Sequence, residues 1–246
     1  MITAAKLLTT LSYAEQQGLF KELEKIYGRL PGSACQQCAR CCAGPPPGYL
    51  IEYLNAYRYL RDKPREERQG LMERVIRYYF LELVEPSLRC PFAGDDNRCL
   101  IHPVRPFTCR AYGLLSKQDY EKMDGKNELE ELALKYKQDY GIDLPREIVE
   151  FKLPYCELVQ PVTGKQTPLE VVQISIGDIG MIESSILPMQ VVEEHHTFVP
   201  VATHLALTVL SEGARTRRPK VMKQYLEQGN SELLDGYVEK WRSYEF

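Results

Sequence analysis

The sequence predicts a mainly α protein with one irregular, cysteine-rich segment inserted between helices. Apolar residues recur near a 3.6-residue period through most of the chain. Capping and helix-breaking residues fall between those periodic segments. Seven of the eight cysteines crowd into residues 35–109, where glycine and proline interrupt any regular period.

Taken in order, Leu7, Leu8, Leu11, Phe20, Leu23, Ile26, Tyr27 and Leu30 predict a helical segment over 4–30. Residues 49–61 form a second, tyrosine-rich helix. A third opens at Pro64, whose missing N–H costs nothing in a first turn, with Glu66 and Glu67 near the positive end of the dipole. It carries Leu71, Met72, Val75, Ile76, Tyr79, Phe80 and Leu83 on one stripe. Residues 116–140 are highly charged and predict an exposed helix or helix pair, broken near Asp124-Gly125. The 161–200 stretch supports two readings: Val172, Ile174 and Ile176 alternate like a strand, while Pro168 and Glu170 suit a helix start. Helices follow over 200–212, 217–228 and 231–243. Gly229, Asn230 and Ser231 supply the cap residues between the last two. The reading is a single domain over 1–246, with a cysteine-rich region at 32–113.

Composition bounds the function. The 246 residues carry 31 basic and 34 acidic side chains, a net charge of −3, so no global basic field is available to hold nucleic acid or an anionic membrane. No segment has the unbroken apolar run of a membrane-spanning helix, and the N-terminal residues lack the apolar core of a signal peptide. The expectation is a cytoplasmic protein acting with an unidentified protein or small-molecule partner. In a reducing compartment, clustered cysteines point to metal or redox chemistry rather than to disulfides.

The cysteines form two groups. Cys35, Cys38, Cys41 and Cys42 make a C-x2-C-x2-C-C run, followed by Gly44-Pro45-Pro46-Pro47-Gly48. Cys90, Cys99 and Cys109 make the second, with His102, Arg105, Pro106 and Arg110 among them. A C-x2-C loop points two thiolates at one metal while its backbone N–H groups turn toward the sulfurs, in zinc and iron–sulfur sites alike. Gly94-Asp95-Asp96-Asn97 is a turn signal that brings Cys90 and Cys99 together. Arg40, Arg105 and Arg110 are placed to offset the charge of several thiolates. Cys156, in Pro154-Tyr155-Cys156-Glu157, stands apart as either a late-arriving ligand or an inert thiol.

These residues resemble the CxxCxxCC family of zinc- or iron-chelating proteins. The resemblance rests on the run at 35–42, on Cys90-Pro91-Phe92, and on the block from Cys99 through Arg105-Pro106 to Cys109-Arg110. It covers about 32–113 and implies metal binding. Some members resemble flagellin lysine methylases, so the resemblance leaves the reaction open, and no fingerprint for S-adenosylmethionine is recognisable. The radical-type C-x3-C-x2-C motif is absent, because Cys38 and Cys42 are followed by Pro45 where a third cysteine would stand.

Two metals compete. Two closed zinc sites need eight ligands, which requires Cys156 or His102 beside all the rest. A [4Fe–4S] cluster needs four thiolates and leaves others for a second iron, a second cluster or a redox relay. The neighbouring Cys41 and Cys42 side chains diverge, which suits different metals or opposite edges of a cluster. The sequence reading favours an iron–sulfur cluster with a redox or enzymatic role, ligated by Cys35, Cys38, Cys41, Cys42, Cys90, Cys99 and Cys109, with Cys156 as an eighth metal ligand. Zinc in a non-catalytic module is the alternative.

Elsewhere, Glu193, Glu194, His195, His196 and His204 cluster near the C-terminal helices, and a cleft closed by that segment over the cysteines is expected to host any catalysis. Asp178 and Glu183 are read as solvent-facing, and Arg215–Lys220 as a solvated linker. Tyr49, Tyr53, Tyr57 and Tyr59 are read as core packing before a rim for the site.

Overall fold

The computed structural model describes residues 2–123, 128–186, 198–210 and 212–246. Those residues are mainly α: twelve helices, no strand, and three isolated β-bridges. Helices α1 (Ala4–Gln16) and α2 (Leu19–Tyr27) divide the segment expected over 4–30. Gly18 sits between them at φ +70, a left-handed conformation that ends one helix and that glycine adopts without strain. Helix α3 spans Leu50–Arg61 and α4 spans Leu71–Leu81. The start of α4 lies after Gly70, at φ +69, and not at Pro64, because that left-handed residue separates it from a short 3-10 turn at Glu66–Arg68. Its predicted stripe is nevertheless the buried one: Leu71, Met72, Val75, Ile76, Tyr79 and Phe80 are all in the core.

Helices α5 (Phe107–Ala111), α6 (Lys117–Lys122), α7 (Glu128–Tyr140) and α8 (Arg146–Val149) follow. The Ser116 hydroxyl caps α6 by accepting from the Asp119 N–H at 3.0 Å. The expected break at Asp124-Gly125 lies outside the described residues. Helix α9 (Leu169–Ile186) decides between the two readings of that stretch: Val172, Ile179, Ile182, Glu183 and Ile186 are buried at helical spacing, while Ile174 points outward.

Helices α10 (Val201–Val209), α11 (Glu212–Gln228) and α12 (Glu232–Trp241) close the chain. The basic run expected as a linker lies inside α11. Arg218 turns inward there, with its guanidinium 2.8 Å from Glu82 and over the Tyr79 ring at 4.9 Å. A linker residue would have had no such partners, and Ala214, Val221 and Met222, buried at helical spacing around Arg218, give α11 its inner face.

Helix α4 packs on α10, α11 and α12, and α3 on α2, α9 and α10. The buried apolar side chains form one contiguous cluster. Phe92, Ile101 and Phe107 of the cysteine-rich segment belong to it, with Phe92 and Phe107 only 1% exposed. The segment is therefore pinned to the helical core between its cysteines, and burial of each phenylalanine stabilises that anchorage by roughly 1.5–3 kcal/mol.

Candidate metal centre

The first cysteine run is irregular backbone that ends in a 3-10 turn at Arg40–Ala43. Two non-glycine residues inside it, Gln37 and Ala39, take left-handed conformations at φ 52 and φ 57. Such conformations are uncommon outside glycine and persist only where the surroundings hold them. They wind the chain tightly enough that the Cys42 N–H donates to the Ala39 carbonyl at 3.0 Å. Both edges of the run are tied down. The Ala34 N–H donates to the Gln160 carbonyl at 3.0 Å and the Val162 N–H to the Gly32 carbonyl at 2.7 Å, which lays the run beside the segment bearing Cys156. The Cys90 N–H donates to the Cys42 carbonyl at 2.7 Å, joining the two cysteine groups directly.

The turn at 94–97 does what its composition predicts. The Gly94 N–H donates to the Arg98 carbonyl at 2.8 Å, Asn97 is left-handed at φ 64, and Ala93 bridges to Cys99. Cys90 and Cys99 are thereby brought to the same side. Helix α5 carries Cys109, with the Thr108 hydroxyl donating to the Pro47 carbonyl at 2.8 Å and so fastening α5 to the proline-rich stretch after the first run. Gly113, at φ +81, lets the Cys156 segment come close: a Cβ there would lie 2.9 Å from Val159 and 3.1 Å from the Cys156 side chain.

All eight cysteines line one cavity of about 80 Å³, together with His102 and Arg105. One water needs only about 10–15 Å³ of such space, so the cavity has room for several atoms. Cys42 and Cys156 are buried, Cys38 is exposed at the rim, and the other five are half-buried. Among the described residues, no three cysteine, histidine, aspartate or glutamate side chains converge closely enough to hold one ion. Cys42 hydrogen-bonds with both Cys41 and Cys90, so the neighbouring Cys41 and Cys42 side chains, expected to diverge, meet instead. A second, more open groove of about 760 Å³ adjoins this cavity and shares Cys41, Pro46, Cys109 and Tyr112 with it. Its other walls include Phe151, Tyr155 and Phe198.

The thiols disfavour one another's ionisation. Hydrogen bonding with Cys42, then burial, pushes the Cys41 thiol far up. Cys42 is pushed up to about 11: the hydrogen bond with Cys41 favours its thiolate, and the bond with Cys90 and burial outweigh that. Burial, with Cys42 and Cys41 nearby, pushes Cys99 up to about 11, and burial with Cys41 and Cys99 nearby raises Cys109 well above its ordinary value. A bound cation reverses this balance and holds its ligands as thiolates.

The cations near the thiols are only partly those expected. Arg105 acts on Cys41, Cys99 and Cys109. Arg110 instead lies over the Tyr27 ring at 4.2 Å and donates from Nε to the Arg105 carbonyl at 2.9 Å. Arg89, which sequence reasoning missed, acts on Cys42 and donates to Asn97 at 2.9 Å. Its signal was adjacency to Cys90.

His195 and His196 lie outside the described residues. His204 is buried away from the cavity, with Nε2 3.2 Å from the Gly48 carbonyl and its ring stacked on Tyr53 at 5.4 Å. The helix it sits on does reach the cysteines, through Val201 and Ala202 at its first turn. Asp178 faces solvent as expected and pairs with Arg29 at 2.5 Å. Glu183 is instead buried, and its carboxylate accepts from the Leu50 N–H at the start of α3. That helix end also holds Glu52, 1% exposed, which sequence reasoning missed; only its place three residues into a helix hinted at it. Tyr53 and Tyr57 are core residues.

The fold and the site together define a mainly helical protein that gathers its cysteines around one cavity. Residues 34–127 match the model of the CxxCxxCC family, described as "Putative zinc- or iron-chelating domain". The matched segment holds both cysteine groups, extends the resemblance read from the motifs to 127, and leaves Cys156 outside. No curated protein and no solved structure matches the chain. Metal binding is the property that the family match supports. Among the described residues, no helix is long and apolar enough to cross a membrane.

Proposed function

We propose that the cysteine cavity holds an iron–sulfur cluster and that the protein uses it in a redox or enzymatic role. The observation that carries this reading is the placement of all eight thiols around one cavity, more than one tetrahedral ion takes. A single tetrahedral zinc ion draws four ligands to distances near 2.3 Å from one centre, whereas a cluster spreads its ligands over several irons. Cys35, Cys38, Cys41, Cys42, Cys90, Cys99 and Cys109 are the ligand pool, with Cys156 as a further member supplied from beyond the matched segment. When bound, the cluster supplies one-electron chemistry.

The chain's own residues supply the rest. The pinned phenylalanines hold the loops, Arg105 and Arg89 offset thiolate charge, and the adjoining groove offers an approach. That groove lies in the size range of small-molecule sites, roughly 300–1,000 Å³, and Cys41 and Cys109 form part of its wall. The reaction partner is accordingly a small, largely apolar molecule bound against the cysteine wall. The alternative is zinc in a non-catalytic module.

Anaerobic purification followed by stepwise reduction tests the reading. A brown protein whose broad visible absorption bleaches on reduction and returns on reoxidation is expected, because sulfur-to-iron charge transfer absorbs there and d¹⁰ zinc does not. A colourless protein loaded with zinc contradicts the iron–sulfur reading and favours the alternative.

A further inference from the structure

Arg105 holds a buried N–H that nothing in the protein answers. Its Nε has no hydrogen-bond partner among the described residues. Its Nη1 is taken by His102, whose Nε2 stands 2.6 Å away and accepts, so that ring is neutral at this nitrogen. Burial, and then Arg105 and Arg110, lower the His102 pKa and keep it so. No carboxylate pairs with Arg105 among the described residues, in contrast with Arg218, which has Glu82 at 2.8 Å. Arg105 favours ionisation of the Cys41, Cys99 and Cys109 thiols, and its other titratable neighbours are His102 and the Arg110 cation.

The backbone at Arg105 is also held in place. The Arg105 carbonyl accepts from Arg110 Nε at 2.9 Å, and Pro106 follows it to open α5. Arg105 is part of the lining of the eight-cysteine cavity. A cation at the lining of a cavity of sulfur ligands, with one buried donor that no protein group answers, is arranged for a bound sulfur anion.

We propose that Arg105 is a positioning residue for the metal centre: its Nε–H donates to a sulfur anion of that centre, either a bridging sulfide or a ligand thiolate, and raises its reduction potential. This rests on the iron–sulfur reading above. Reduction adds negative charge to the centre, and a cation that donates to its sulfur favours the reduced state.

Potentiometric titration of the full-length, anaerobically purified protein tests it, with iron and acid-labile sulfide measured on each sample. Arg105→Met removes charge and donor together. It is expected to shift the oxidised-to-reduced ratio at fixed potential about tenfold toward oxidised, a fall of about 59 mV for one electron. Arg105→Lys keeps the charge but not the Nε–H, and decides the hydrogen bond if the methionine variant fails to load. A smaller fall in the same direction is expected. A lysine variant with wild-type iron, sulfide and potential overturns the assignment of the Nε–H, and an unmoved potential in a loaded Arg105→Met overturns the whole proposal. Wild-type protein with zinc and no sulfide overturns the iron–sulfur reading, and this proposal with it.

Discussion

The Glu52 carboxylate accepts a hydrogen bond from the Phe107 backbone N–H at 2.6 Å, linking α3 to the first residue of the helix that carries Cys109. The same carboxylate accepts from the Tyr27 hydroxyl at 2.8 Å and from the Tyr49 N–H at 2.9 Å. One buried acid thus ties α2, α3 and α5 together beside the cysteine cavity. Glu52→Gln puts an amide donor against one of these donors and leaves a buried group unpaired. The expected cost is about 1–3 kcal/mol in urea unfolding, with a lower metal content as α5 loosens. Wild-type stability and metal content in this variant would contradict the role.

The same residue predicts a pH dependence. Burial raises the Glu52 carboxyl above its ordinary range, against three donors that pull it down. A raised folded pKa contributes stability below the unfolded value and loses it as pH rises through the folded one. The stability gap between wild type and Glu52→Gln is therefore widest at the ordinary glutamate value, about pH 4, and narrows as the pH rises above it. A gap that widens as the pH rises has the wrong sign.

Cys156 is the cysteine that the motif spacing could not assign. It lines the cavity with the other seven, beside Gly113. Cys156→Ala is expected to lower the metal-to-protein ratio, and an unchanged ratio removes it from the ligand pool. Gly113→Ala reaches the same segment without removing a thiol. At φ +81, with Val159 at 2.9 Å, the added methyl costs more than the roughly 1 kcal/mol of an ordinary glycine exchange and displaces Cys156. Reduced metal content in both variants is the expected pattern.

A control separates scaffold from site. Arg218 and Glu82 are 15% and 18% exposed, and their pair links α11 to the end of α4 without lining the cysteine cavity. Arg218→Met leaves Glu82 unpaired and is expected to cost about 2 kcal/mol, less than the ~3–5 kcal/mol of a fully buried pair. Metal content should stay at the wild-type ratio. Loss of metal at unchanged melting behaviour would contradict this division.

Much of the fold was legible because its signals are local. The α4 stripe, the 94–97 turn and the Ser231 cap each depend on residues a few positions apart. Ser231 Oγ accepts from the Leu234 N–H at 3.3 Å, as a Gly-Asn-Ser stop and start implies. Helix boundaries at Gly18 and Gly70 were not legible, since a glycine within a periodic run signals equally a tolerated residue and a left-handed break. The α9 stretch remained double-valued because apolar residues at 172, 174 and 176 fit a strand until packing buries Val172 and exposes Ile174.

The candidate site divides in the same way. Spacing drew out the seven cysteines at 35–109, while the partners that orient them came from afar. Glu52 reaches Phe107 across 55 residues, Ala34 meets Gln160, and Glu183 finds Leu50 across 133. Nothing in a local pattern distinguishes a glutamate that will be buried in this way from one on a surface. His204 shows the converse: a histidine near others in sequence proved to be a core residue, held by Gly48 and Tyr53.

Quantifying iron, zinc and acid-labile sulfide per chain in the anaerobically purified full-length protein tests the central claim most directly. The account predicts iron and sulfide in equal amounts with little zinc, and loss of both in Cys99→Ser. Zinc at stoichiometric level without sulfide would contradict it, as would wild-type metal content in Cys99→Ser.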